Sequence, residues 1–244
     1  GNIVLHNIML LTLAPALLYQ GKRVRATTPR LPEASGPRAG QAGKGPSLHL
    51  LILGDSAAAG VGAKDQSIAL SGQLVDRLSQ HYQVHWTLEA LTGRKVADYL
   101  PPPDATTETA ASHLPSCDAD IVVVSLGVND VTSKCSVSGW LKQVDRLIAG
   151  INQQYAPDRI LFTAVPPMER FPVLPQPLRR YLGERARAFN MGLARRVGGY
   201  PNVDLIGVQF ENGPDVMATD GFHPGPGGYR MWAETLAAHI GPPA

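Results

Sequence analysis

At 244 residues the chain has room for one α/β domain of ordinary size with an ample core. Hydrophobic residues at 44% and charged residues at 17% are ordinary for a soluble globular protein. The formal net charge of +2 says nothing for or against nucleic acid. With lysines and arginines scattered and aromatics at 6%, however, neither a basic stripe nor a stacking platform is present, and no nucleic-acid partner is expected.

The chain begins with an apolar run, Ile3 to Tyr19, interrupted by His6, Asn7, Thr12 and Pro15 and followed by Lys22, Arg23 and Arg25. It falls short of the ~20 consecutive apolar residues of a membrane span, and its positive charge follows the run where a signal peptide would carry it in front. Two readings stand: a segment packed on the domain surface, or a peripheral membrane contact with its apolar body in lipid and its cations at the headgroups. From Ala26 to Pro46 the composition turns to Pro, Gly, Arg, Ser and Thr, the signature of an extended connector. Residues 1–47 therefore read as an N-terminal extension and residues 48–244 as the main folded domain.

Leu48 to Leu53 has the length and apolar continuity of a buried parallel strand, and it delivers Gly54-Asp55-Ser56 to the sheet's carboxyl edge. Ala69 to Gln80 then places Leu70, Leu74, Val75 and Leu78 on one helical face. Val84 to Ala90 is a second strand, turning out through Leu91-Thr92-Gly93. Val96 to Leu100 starts a short helix that the triple proline at 101–103 ends. Ile121 to Leu126 is a third strand, followed by Gly127-Val128-Asn129-Asp130.

Val137 to Tyr155 is an amphipathic helix with Trp140, Val144, Leu147, Ile148 and Ile151 on its apolar face. Ile160 to Val165 is strand four. A proline-rich loop, Pro166 to Pro177, carries Met168, Phe171 and Leu174. A helix over Leu178 to Val197, a short strand over Val203 to Ile206, a loop over Asp220 to Gly227 and a helix over Tyr229 to Ile240 close the chain. Alternating strands and helices imply a three-layer α/β/α domain around a flavodoxin-like five-stranded parallel sheet.

Parallel strands share one direction, so the turns Gly54-Asp55-Ser56, Thr92-Gly93-Arg94 and Gly127-Val128-Asn129-Asp130 emerge on the same edge, where open α/β sheets bind ligands. The last loop adds Asp220-Gly221-Phe222-His223-Pro224. A serine, a histidine and a nearby carboxylate make a serine-nucleophile site the leading reading.

These four blocks resemble, in order, the signature blocks of the SGNH hydrolases, the GDSL-type esterase and lipase superfamily. The resemblance covers roughly Leu48 to Ile240. It implies a carboxylic ester hydrolase acting through an acyl-serine intermediate, with Ser56, Asp220 and His223 as catalytic residues. It also implies an oxyanion hole from the backbone N–H of Ser56, the backbone N–H of Gly93 and the side-chain amide of Asn129, and it implies no cofactor. The substrate would be a small-molecule or lipid ester, with a short acyl or lysophospholipid-type group. A catalytically silent acyl- or lipid-binding protein on the same scaffold is the alternative.

Two positions depart from the pattern. Ala57 stands where the family name implies leucine, on a side chain expected to face inward. Arg94-Lys95 follows Gly93 directly, and the pair is either solvated or attracts an acidic substrate group. Met168, Phe171 and Leu174 either line an acyl pocket or pack on neighbouring residues. Asp55 and Asp130 are expected to hold their turns through bonds to backbone N–H groups.

Other motifs fail on inspection. A dinucleotide fingerprint across Gly54 to Gly62 lacks its third glycine, because position 65 is Asp, and no Gly-Lys-Ser/Thr follows for a P-loop. The Gly-x-Ser-x-Gly elbow is missing, because position 58 is Ala. His6, His49, His81, His85, His113 and His239 have no pairing motif, and no metal ligand set is evident. Cys117 and Cys135 flank a strand ~20 Å long and are expected to be free thiols. That favours a reducing compartment, cytoplasmic or peripheral to the inner face of a membrane, over secretion.

Overall fold

The computed structural model describes residues 2–102 and 114–244, and of residues 2–7 only the backbone. Pro103 of the triple proline and His113 lie outside the described residues, as do the side chains of Ile3, His6 and Asn7. Six strands, β1 (Ala39–Ala42), β2 (Ser47–Gly54), β3 (Gln83–Ala90), β4 (Ile121–Ser125), β5 (Arg159–Thr163) and β6 (Val203–Ile206), form one sheet in the order β1-β3-β2-β4-β5-β6. Strands β2 to β6 are parallel to one another, and β1 runs antiparallel to β3 at the edge. The winding reverses between β2 and β4, the crevice where ligands of such sheets sit.

The helices are α1 (Asn2–Thr27), α2 (Leu70–Leu78), the single turn α3 (Val128–Val131), α4 (Val137–Tyr155), α5 (Leu178–Val197) and α6 (Pro226–Ile240). The strands' two-residue period sorts β2 between two cores. Leu51 and Leu53 join Val122, Val124 and Phe162 against Trp140 and Leu147 of α4 and Phe189 of α5. Leu50 and Ile52 join Val123 and Leu161 against Leu74 of α2 and Tyr229 and Trp232 of α6. Each layer is thus an apolar helix stripe facing one side of the sheet. Ser136 caps α4, its hydroxyl accepting the Gly139 N–H at 3.1 Å.

The sheet has one strand more than the five expected. β1 falls inside the stretch that reads as a connector, and its residues, Ala-Gly-Gln-Ala, carry no apolar alternation to announce it. Gly40 is where β1 crosses Trp86: a Cβ there would stand 2.4 Å from the indole, so a side chain at this position would have to displace that ring. The rest of the connector is also stitched down. Ala34 is buried, its N–H donates to the Ala59 carbonyl, and the Gln66 amide donates to the carbonyls of both Ala34 and Ala59.

The apolar N-terminal run is part of a longer helix than its composition suggests. α1 continues through Pro15 and the cations to Thr27. It docks on the start of α5: the Gln20 amide donates to the Gln176 carbonyl at 2.7 Å, its oxygen accepts the Leu178 N–H at 3.1 Å, and Leu17 and Val24 pack on the core. Ile8, Met9, Leu11, Leu18 and Tyr19 remain exposed. No helix among the described residues is long and apolar enough to cross a membrane. Cys117 and Cys135 are free thiols.

Candidate active site

β2 ends at Gly54, and the Asp55 N–H donates to the Ser125 carbonyl of neighbouring β4 at 3.2 Å, which fixes where the strand exits. The chain then coils at once, with the Ala59 N–H on the Asp55 carbonyl and the Val61 N–H on the Ser56 carbonyl. Ser56 sits on that coil at the carboxyl edge. The chain leaves through Gly62, whose φ of +98° and 2.1 Å approach of a built Cβ to the Pro224 carbonyl both require glycine. That close approach lays the loop before α6 against the Ser56 coil. The Tyr229 hydroxyl of α6, donating to the Val61 carbonyl at 2.5 Å, pins it there.

These contacts bring together residues 167 apart in sequence: Ser56 Oγ lies 2.8 Å from His223 Nε2. His223 Nδ1 lies 2.5 Å from Asp220 Oδ2. Asp220 Oδ1 accepts the backbone N–H groups of Phe222 and His223, each at 3.0 Å. The carboxylate therefore both shapes its loop and faces the ring. Its near-complete burial would raise its pKa, but the hydrogen bonds from the His223 ring and from the His223 and Phe222 backbones outweigh that and hold it below the usual carboxylate range. An ionised Asp220 orients Nδ1–H toward itself and leaves Nε2 free to accept the serine proton.

Asn129 lies in α3, just past the end of β4. Its amide Nδ2 donates to the Arg94 carbonyl at 2.9 Å and lies 3.5 Å from Asp55 Oδ2. Gly93 precedes Arg94 with φ +86°, and a Cβ built on it would meet nothing within 4 Å. The turn needs glycine for its backbone conformation and not for space. Ser56, Gly93, Asn129, Asp220 and His223 thus come from four separate chain segments and gather at one sheet edge.

The remaining sequence candidates sit differently. Arg94 turns its guanidinium back into the domain, donating to Glu89 Oε1 at 2.7 Å and to the Tyr99 hydroxyl at 2.9 Å. It is already partnered, which weighs against the reading that it waits for an acidic substrate. Met168, Phe171 and Leu174 are buried in the core beneath α5, with little exposed surface to offer an acyl chain. Phe171 packs on Phe222 with the ring planes tilted and the centroids 4.8 Å apart, so its loop supports the His223 loop. His49 stacks on His85 and bonds Asp120 at the far end of β2. No group of metal-ligating side chains occurs among the described residues.

Two carboxyls beside the site bear on pH. Asp55 Oδ1 accepts the Ala57 N–H at 3.1 Å and Asp130 Oδ2 accepts the Val96 N–H at 3.3 Å, so each ties down a turn. Burial pushes Asp55 up to about 7 and Asp130 up to about 6. A carboxyl whose folded pKa is raised binds its proton more tightly than in the unfolded chain. Its share of stability is full below about pH 4 and is lost as pH rises through its folded pKa. The melting temperature is therefore expected to fall between pH 5 and pH 8. Asp55→Asn, which keeps an acceptor for Ala57 and cannot ionise, should flatten that fall by on the order of 5 °C in paired thermal melts.

Sequence reasoning passed over Tyr229 and Gly62, which join the two halves of the site, and Glu89 and Tyr99, which hold Arg94. Only the Gly60-x-Gly62 spacing after the Ser56 coil hinted at any of them.

The GDSL-like lipase/acylhydrolase family model matches residues 52–231. Among solved structures, a carbohydrate esterase family 2 enzyme with a carbohydrate-binding domain from Corynascus thermopiles (Myceliophthora fergusii) superposes with a TM-score of 0.59 at 16% identity, over 86% of this chain and 68% of that one. A putative platelet activating factor from Streptococcus pneumonia gives 0.58 at 16% identity over 98% of both chains. Est24, a carbohydrate acetylesterase from Sinorhizobium meliloti, gives 0.56 at 19% identity over 79% of this chain and 98% of that one. At these identities the superpositions speak for the fold. A search of curated proteins gives no match. With most of its length matched by the family model, the chain belongs to the GDSL-like lipase/acylhydrolase family and so, at a general level, to the ester hydrolases.

Proposed function

We propose that the protein hydrolyses carboxylic esters carrying a short acyl group, with Ser56 as nucleophile, His223 as general base and Asp220 as its orienting carboxylate. The observation that carries this reading is the continuous chain of contacts from Ser56 Oγ to His223 Nε2 at 2.8 Å and from Nδ1 to Asp220 at 2.5 Å. His223 takes the hydroxyl proton as Oγ bonds to the ester carbonyl carbon. The resulting oxyanion is met by the N–H groups of Ser56 and Gly93 and the amide of Asn129, donors fixed before the reaction begins. Collapse breaks the carbon–oxygen bond to the alcohol, which leaves with the proton from His223. Water, deprotonated by the same imidazole, then attacks the acyl-serine, and the acid departs as Ser56 regains its proton.

Burial of Met168, Phe171 and Leu174 supports a short acyl group, because these three side chains offer little exposed apolar surface to a long chain. A fluorophosphonate probe is expected to label Ser56 covalently. p-Nitrophenyl acetate should turn over at least ~10-fold faster, by kcat/KM, than the palmitate ester. Retention of acyl ligands with neither labelling nor turnover would instead favour a silent binding protein.

A further inference from the structure

We propose that Glu89, Arg94 and Tyr99 form a brace that holds the oxyanion donors in register with the nucleophile, making Arg94 and Tyr99 positioning residues for the hydrolysis. The proposal rests on the esterase reading above and adds to it residues that contact no substrate.

The Gly93 turn poses a physical problem. Its glycine has a positive φ, and nothing packs where a side chain would be, so van der Waals contact does not fix it. An oxyanion donor is useful only if it is held within a few tenths of an ångström of its working position before the charge develops. Something other than packing has to hold this turn, and polar bonds reach it from both sides. On the upstream side, the Thr92 N–H donates to Glu33 Oε2 at 3.0 Å. On the downstream side stands Arg94, itself closing the turn by donating its N–H to the Leu91 carbonyl.

Arg94 is tied in two directions. Its guanidinium donates to Glu89 Oε1 and to the Tyr99 hydroxyl, and its Cζ lies 4.9 Å from the centre of the Tyr99 ring. That hydroxyl is buried, accepts the Gly54 N–H at 3.0 Å, and lies 2.6 Å from the Glu89 carbonyl and 2.9 Å from the Gly54 carbonyl. Gly54 is the last residue of β2, two before Ser56. In the other direction, the Arg94 carbonyl accepts the Asn129 amide at 2.9 Å. One residue thereby links the strand that carries the nucleophile to the side chain proposed to meet the oxyanion, with Gly93 as its immediate neighbour.

Stability alone does not account for this arrangement. Glu89 and Arg94 are partly exposed, and an ion pair in that setting adds little to folding. Both bonds leave one guanidinium nitrogen, Nη1, so a single charged donor is held between a carboxylate and a phenol, which fixes the direction of the side chain.

The experiment is steady-state kinetics of Arg94→Met, which keeps the apolar stem, in wild-type and Asn129→Ala backgrounds. It uses one neutral and one anionic p-nitrophenyl ester, with melting temperatures alongside. For the neutral ester, kcat is expected to fall ~10-fold or more with KM within about twofold of wild type. The same change made in Asn129→Ala should cost less than half as much on a logarithmic scale, because the group it positions is gone. Arg94→Lys should recover part of the loss, and its signal remains readable should Arg94→Met fail to fold.

An unchanged kcat, or an equal loss in both backgrounds, overturns the brace. So does a KM increase confined to the anionic ester, which would make Arg94 a substrate-binding cation. Absence of hydrolysis by the wild-type protein, which these outcomes do not share, overturns the esterase reading and the brace with it.

Discussion

Ser56→Ala is expected to lower kcat for p-nitrophenyl acetate by about 10⁴–10⁶-fold while leaving the melting temperature within a few degrees of wild type. His223→Ala should do comparable damage, and the double variant should be little worse than either alone, because hydroxyl and imidazole act as one unit and the second loss removes nothing further. The fold should tolerate the first change well. Among the described residues the Ser56 side chain bonds only to His223, and the coil that carries it is held by backbone bonds from Ala59 and Val61 and by the Asp55 carboxyl. Equal activity in Ser56→Ala and wild type would remove the nucleophile assignment, whatever else remained.

Asn129→Ala is the second large effect. Removing one donor from an oxyanion hole typically costs ~10²–10³ in turnover with little change in KM, because the lost bond is made chiefly in the transition state. In the resting protein the Asn129 amide faces the Arg94 carbonyl at 2.9 Å, and its contact with Asp55 is long, at 3.5 Å. Its second hydrogen is thus weakly held and is available to a developing oxyanion. Kinetics of Asn129→Ala on the neutral ester check this directly: a rise in KM with kcat intact would assign Asn129 to ground-state binding instead.

Much of this was legible in the order of residues because buried parallel strands are loud. Leu48 to Leu53 and Ile121 to Leu126 are apolar runs with a glycine at or just past their ends, and parallelism alone sends their turns to one edge. The helix faces were equally plain, since Trp140, Val144, Leu147, Ile148 and Ile151 repeat at helical spacing. β1 was silent for the opposite reason. An edge strand of four residues, none of them large and apolar, is defined by its partner β3, and nothing in Ala39–Ala42 specifies that partner.

Arg94 shows where reading by residue type stops. Its position beside Gly93 left open a solvated cation or one facing ligand, and the direction of a long side chain depends on which acceptor lies in reach, here Glu89 and Tyr99. Met168, Phe171 and Leu174 were apolar residues in a loop leaving the active edge. Whether such residues face a cleft or the core is decided by the helix that covers them, and α5 closes over these three.

The join between Tyr229 and Val61, with Gly62 laid against Pro224, has a temporal consequence. During synthesis, all six strands and the serine coil can assemble while the imidazole is still unmade. On the proposed mechanism the hydroxyl therefore has no base to activate it until the segment after β6 has folded back onto the coil, and the nascent chain would stay chemically quiet toward the esters around it.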